Sequence, residues 1–132
     1  MWGITGRGAR LGDWRRSART LHAGIARIAV RGPLEHAVLD ISGELDFSSS
    51  GDAIDVAAQL PHRIVSLDLA GLEFVDVAGA RAIERIREDR QALHGERPAL
   101  LGACASVERT LRFVRTRDRG IVVADAPRMT TA

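Results

Sequence analysis

The chain has no lysine and only one cysteine in its 132 residues. A single Cys104 excludes an internal disulfide framework and is typical of a reducing cytoplasm. No apolar run approaches the roughly 20 residues that a membrane-spanning helix needs. The N-terminus also lacks the apolar core of a secretory signal. We therefore predict a cytoplasmic protein that does not enter a membrane.

The positive charge is concentrated at the N-terminus. Residues 1–20 carry five arginines and one aspartate, whereas residues 21–132 carry fourteen arginines and sixteen acidic residues. Residues 1–22 also show no helical or strand period, so we predict a basic, flexible arm that either docks on a partner or has no fixed structure. We place one globular domain at residues 23–126 and a tail at 127–132. Since the arginines outside the arm form no obvious face, direct nucleic-acid binding is not expected.

The stretch from His62 to Gly79 predicts a strand-to-helix corner. Residues 64–69 are apolar enough for a central strand with both faces covered, and residues 72–75 extend the chain again. After Asp76 the period becomes helical, with apolar residues at Ala80, Ile83, Ile86 and Leu93 and a terminating Gly95. Asp76 is the predicted N-cap of this helix. Such corners are where open α/β folds place their binding sites.

The remaining elements alternate between strand and helix patterns. Residues 25–30 and 37–41 read as strands around a turn, and Ser49 with Asp52 predicts a helix start. That helix is expected to bury Ile54, Ala57, Ala58 and Leu60 and to end at Pro61. Residues 99–102 predict a buried strand, residues 104–114 a helix capped by Cys104 or Ser106, and residues 121–124 a last strand. The order predicts an α/β fold with a mixed, mostly parallel sheet of four to five strands and three to four helices.

The sequence offers little for catalysis or metal binding. The four histidines are scattered, and we interpret all of them as solvated surface residues: His22, His36, His62 and His94. Ser48, Ser49 and Ser50 near Asp46 are the one tempting nucleophile cluster, and helix capping explains them more simply. No P-loop or dinucleotide fingerprint occurs. We predict a protein that is not an enzyme and has no metal site or cofactor.

Several segments together resemble a known family. The run Ile41–Asp46 reads ISGELD, and Ile64–Gly79 reads IVSLDLAGLEFVDVAG. With residues 100–102 and 107–111, this pattern resembles a STAS domain over roughly residues 24–125. STAS domains include the bacterial anti-sigma factor antagonists. The resemblance implies a small mixed sheet with helices, no catalytic activity, and binding to an anti-sigma factor, often a serine kinase, so that a sigma factor is released for transcription.

The resemblance also implies a partner surface. In the family, the kinase phosphorylates a serine immediately after the aspartate that corresponds to Asp76, and the added charge breaks the complex. Here that position is Val77, followed by Ala78, so we predict no phosphorylation at either. Control is then absent, or lies elsewhere (Ser48 to Ser50, Thr110, the arm or Cys104). The predicted partner-binding residues are Asp46, Ser48, Ser49, Asp76, Val77, Ala78, Gly79 and Ala80.

Three other functions stay open at this point. STAS-like proteins that lack the serine also serve as small subunits of lipid-trafficking ABC transporters, and others act as sensing modules. Binding of nucleic acid through the arginine-rich arm is a further alternative. The oligomeric state is not determined by the sequence.

Overall fold

The longest strand, Ala37–Leu45, pairs with three others and lies at the centre of a mixed sheet. The computed structural model describes residues 19–23 and 26–123, and the side chains of residues 26–117. Residues 1–18 of the predicted arm (1–22) and the whole predicted tail (127–132) lie outside the described residues. In chain order the elements are β1 (Arg19–Ala23), β2 (Ala26–Arg31), β3 (Ala37–Leu45), α1 (Phe47–Ala58), β4 (Ile64–Asp68), β5 (Leu72–Val75), α2 (Val77–His94), β6 (Ala99–Leu101) and α3 (Ala105–Val123).

The sheet combines an antiparallel and a parallel half. Its main path runs β1-β2-β3-β4-β6, and the short β5 pairs only with β3. The pairs β1–β2 and β2–β3 are antiparallel, whereas β3–β4, β3–β5 and β4–β6 are parallel. Helix α1 connects β3 to its parallel neighbour β4, and helix α2 connects β5 to β6, which lies parallel to β4. β5 follows β4 without a helix between them and pairs with β3. The α/β class and the mixed, mostly parallel sheet with three helices are confirmed.

The core lies between one face of this sheet and the helices. In β2 and β3, buried residues such as Ile28, Leu39 and Ile41 alternate with exposed or half-buried ones such as Arg27 and Asp40. This period of two places one side of the sheet under the described helices and leaves the other more open. β4 is central, as predicted, but Val65 and Asp68 are only half-buried, so its second face is not fully covered.

The predicted helix after Asp76 is confirmed at both ends. Asp76 is the N-cap of α2, and Gly95 has the left-handed φ of 83° that ends the helix. Ile83 and Ile86 are buried as expected, whereas Leu93 is 63% exposed. Leu93 lies in the last turn of α2, beyond the part of the helix that packs on the core. It is therefore exposed although its spacing matches that of the buried residues.

Three predictions, one about the N-terminal arm and two about strands, need correction. Residues 19–23 form β1, so the predicted arm ends in a strand that pairs with β2. The strand predicted at residues 99–102 forms as β6, but it is not buried, since Ala99 and Leu101 are exposed. Within the described sheet β6 is an edge strand that pairs only with β4. The predicted strand at residues 121–124 is wrong, because residues 121–123 belong to α3, which continues to Val123. Residue 124 lies outside the described residues. A short apolar run does not distinguish strand from helix, and one glycine inside a helix costs only about 1 kcal/mol.

Two further predictions concerned burial. In α1, Ala57 is buried and Ile54 half-buried, but Ala58 is exposed. His62 is fully buried, contrary to its interpretation as a surface histidine. Its backbone carbonyl accepts a hydrogen bond of 2.6 Å from the buried Arg90 of α2.

Candidate functional site

The start of α1 is built around Asp46. Its Oδ1 accepts hydrogen bonds from the backbone N–H groups of Ser48 (3.0 Å) and Ser49 (3.2 Å) and from the Ser48 hydroxyl (2.7 Å). The Ser49 hydroxyl in turn accepts from the backbone N–H of Asp46 at 3.1 Å, which completes a capping box. The prediction that Ser49 begins the helix is therefore wrong. β3 ends at Leu45, so Asp46 is the first residue free to cap, and the three-residue spacing of a capping box also fits Asp46 with Ser49.

These donors act on the charge of Asp46. The pKa of its carboxyl is lowered below the ordinary 3.8, chiefly by the hydrogen bond from the Ser48 hydroxyl, with further contributions from the backbone of Ser48 and from Ser49. The donors stabilise the ionised carboxylate more than the neutral acid. Asp46 therefore carries its negative charge at neutral pH in the folded protein.

We expect Asp46→Asn to lower stability at neutral pH by an amount that shrinks in acid. Because the folded-state pKa lies below the unfolded-state value, the carboxylate stabilises the fold fully above about pH 3.8. That contribution is lost as the pH falls through the folded-state pKa. Urea unfolding midpoints of both proteins at neutral pH and near pH 3 measure the effect. Asp52→Asn, later in the same helix, is the control. A difference from wild type that does not change with pH would contradict the expectation.

A second carboxylate joins the starts of the two helices. Asp76 accepts a hydrogen bond of 2.8 Å from the backbone N–H of Gly79 through Oδ1, as the N-cap of α2. Its Oδ2 accepts a hydrogen bond of 3.0 Å from the backbone N–H of Phe47, the first residue of α1. One side chain thus satisfies an unpaired amide in each helix. The N-termini of α1 and α2 consequently open at the same surface.

Close packing beneath this link explains why residue 79 is a glycine. A Cβ atom at Gly79 would lie 2.0 Å from the carbonyl oxygen of Leu45, and 2.7 Å both from its carbonyl carbon and from Cγ2 of Val75. The first turn of α2 therefore touches the end of β3 directly. Gly79 and Ala80 are both buried, as is Ser49 of α1. Three of the predicted partner-binding residues thus pack inside the domain instead of facing outward.

Large apolar side chains next to the two helix starts in the chain are exposed. Phe47 is 77% exposed, Phe74 48% and Val77 37%. The surface formed by Asp46, Phe47, Phe74, Asp76 and Val77 is here named the corner surface. Of the other predicted site residues, Ser48 is exposed and Ala78 half-buried.

Phe47 and Phe74 are not among the residues predicted from the sequence, and only Phe47 carries a signal that could have indicated it. Phe47 is out of phase with the buried positions Ser49, Ala53 and Val56 of α1. Phe74 shares its alternation phase in β5 with the buried Leu72 but is itself exposed, so no sequence pattern indicates its exposure. A phenylalanine at a position that the local period turns outward suggests contact with something outside the chain.

The described residues contain neither a metal cluster nor a membrane span. In residues 26–117, no three histidine, cysteine or acidic side chains lie together as metal ligands would. None of α1, α2 and α3 combines the length with the apolar character that crossing a bilayer requires.

Comparison with known proteins identifies the family. The family model described as "STAS domain" matches residues 27–119, so the chain belongs to the STAS domain family. Among curated proteins none matches the chain. A solved structure described as "The overall structure of SLC26A9" is similar to it, with a TM-score of 0.50 and 16% sequence identity. The similarity covers 83% of this chain and 22% of that one, and it shows a shared fold.

Proposed function

We propose that the chain is a non-catalytic regulator that binds an anti-sigma factor through the corner surface. The observation that carries the proposal is the exposure of Phe47, Phe74 and Val77 around the linked starts of α1 and α2. Exposed aromatic residues are frequent among the few that dominate binding energy. Membership of the STAS domain family supports a regulatory protein-binding role.

The same surface bears on how binding is controlled. Val77 and Ala78 have no hydroxyl group, so neither can carry a phosphate. The position that is phosphorylated in switchable relatives here adds apolar area to the surface. Binding through the corner surface is therefore constitutive with respect to this position.

We expect Phe47→Ala to weaken binding of the anti-sigma factor by at least about tenfold, since a central aromatic contact is removed. Val77→Asp should also weaken it about tenfold by placing a charge beside Asp46 and Asp76. The partner is captured from the native cytoplasm and identified by mass spectrometry. Its affinity for each purified variant is then measured by isothermal titration calorimetry.

Phe113→Ala is the matched control for these variants. Phe113 is a phenylalanine of α3 that is 49% exposed, outside the corner surface. Equal losses for Phe47→Ala and Phe113→Ala would contradict a role for the corner surface. Recovery of a transporter ATPase in place of an anti-sigma factor would favour the transporter-subunit function.

A further inference from the structure

A groove away from the corner surface is lined by a cluster of arginines. It lies between α2, β6 and α3 and has a volume of about 860 Å³. Arg87 of α2, Arg97 before β6 and Arg115 of α3 line it, and Leu100, Gly102 and Leu111 form its apolar part. A concave space of this size is in the usual range of small-molecule sites.

The three guanidinium groups converge on one buried carboxylate. Glu84 is 7% exposed, and its Oε1 accepts from Arg87 Nη1 at 3.1 Å and from Arg97 Nη2 at 2.8 Å. Its Oε2 accepts from Arg87 Nη1 at 3.2 Å and from Arg115 Nη1 at 3.3 Å. Glu84 therefore fixes the orientation of three guanidinium groups that come from three different segments.

Arg87 and Arg97 are held from a second side as well. Arg87 Nε donates to the backbone carbonyl of Pro98 at 2.8 Å, and Arg97 Nη1 donates to Gln91 Oε1 at 3.1 Å. The side chains remain partly open, with 14% exposure for Arg87, 34% for Arg97 and 28% for Arg115. The cluster is thus preorganised and still accessible from the groove.

Three guanidinium groups and three carboxylates line the groove, and the excess of positive charge is local to the cluster around Glu84. One carboxylate faces three guanidinium groups, and burial lowers the pKa of Arg87, with the charges of Arg97 and Arg115 lowering it further against the opposing effect of Glu84. Two other carboxylates line the groove, those of Glu88 and Glu108. Glu108 is 3.7 Å from the guanidinium of Arg112, which offsets its charge. An anion placed among the three arginines would relieve the remaining repulsion.

We propose that this groove binds a phosphate group, as free phosphate or as part of a larger molecule. Guanidinium groups that are fixed around Glu84 and still partly exposed can donate charge-assisted hydrogen bonds to the oxygen atoms of a tetrahedral dianion. A nearby carboxylate that already orients the arginines lowers the entropic cost of assembling such a site. The proposal is independent of the corner surface and of the function proposed for it.

The test is a titration of the full-length ¹⁵N-labelled protein with inorganic phosphate, with sodium chloride of matched ionic strength as reference. We expect saturable shifts of the amide signals of Leu100, Gly102 and Ala103. Arg115→Gln should weaken the binding about tenfold, since one charge-assisted donor is lost. Arg109→Gln is the matched control, because Arg109 is an exposed arginine of the same helix that does not line the groove.

A second variant keeps the proposal testable if Arg115→Gln does not fold. Glu88→Gln removes an exposed negative charge from the rim, so phosphate should bind about threefold more tightly. Shifts that merely follow ionic strength, equal losses in Arg115→Gln and Arg109→Gln, or weaker binding by Glu88→Gln would each overturn the proposal. Vesicles containing phosphatidic acid distinguish the sources. Arg115-dependent binding to the vesicles without binding of free phosphate would assign the group to a lipid headgroup.

Discussion

Replacing Arg90 by methionine is expected to lower the free energy of unfolding by about 3 kcal/mol. Arg90 is only 2% exposed. Its guanidinium donates to the backbone carbonyl of Ala57 at 2.7 Å, of Leu60 at 2.8 Å and of His62 at 2.6 Å. These carbonyls belong to the end of α1 and to the chain that follows it. One side chain from α2 thus replaces the water that a helix C-terminus would otherwise bind.

The size of the effect comes from two opposing contributions. Methionine fills a similar volume but removes the guanidinium donor from the buried carbonyls of Leu60 and His62, at about 1–3 kcal/mol each. The carbonyl of Ala57 still accepts a hydrogen bond of 3.2 Å from the backbone N–H of Leu60. The variant also no longer buries a positive charge, which costs energy in the wild type and lowers the pKa of Arg90. The lost hydrogen bonds outweigh the recovered cost of burial. The estimate therefore lies at the lower end of the summed range.

Urea unfolding followed by circular dichroism measures this difference. Arg85→Met is the matched control in the same helix. The side chain of Arg85 is 59% exposed and pairs with Asp89 at 3.1 Å, so its loss should change stability by no more than about 0.5 kcal/mol. Equal unfolding curves for the two variants would show that the hydrogen bonds of Arg90 do not stabilise the fold.

Gly79→Ala is expected to destabilise the protein by about 2–3 kcal/mol. The added methyl group would overlap the carbonyl group of Leu45 and approach Cγ2 of Val75. Because the nearest atoms belong to backbone, relief requires α2 or the end of β3 to shift. That movement would also disturb the hydrogen bond from Phe47 to Asp76.

Gly51→Ala provides a control of opposite sign. No atom lies within 4 Å of a Cβ placed at Gly51, an exposed position inside α1. Alanine should there stabilise the helix by about 0.5–1 kcal/mol. Urea unfolding of the two variants should therefore shift in opposite directions. Destabilisation by both, or by neither, would contradict the close contact of α2 with β3.

Local signals account for the parts of the fold that could be predicted. Asp76 and Gly95 cap the two ends of α2 through hydrogen bonds to residues only three or four positions away in sequence. The alternation in β2 and β3 depends only on neighbours in sequence. The mixed sheet follows because these elements have few right-handed ways to connect. Short-range chemistry and simple topology therefore suffice for the architecture.

The remaining features depend on residues far apart in the chain. Asp76 and Phe47 are separated by 29 positions, Arg90 and Ala57 by 33, and Glu84 and Arg115 by 31. No periodicity specifies which distant groups will meet. The position of Asp46 as N-cap could be predicted only together with the end of β3, since Ser49 offers similar capping chemistry. The sequence thus indicated the corner, but neither its shared carboxylate nor the arginine groove.

Because Asp76 bonds to both helices, it is needed for the stability of the fold independently of any partner. Losing its carboxylate would uncap α2 and remove the acceptor of the Phe47 amide at the start of α1, so a chain with this geometry needs the aspartate for its own stability, whatever it binds. Gly79 is constrained in the same way by the neighbouring strand. Asp76 and Gly79 therefore say little about which partner the chain binds. Divergence in specificity is to be sought at Phe47, Phe74 and Val77, which the fold itself leaves free to vary.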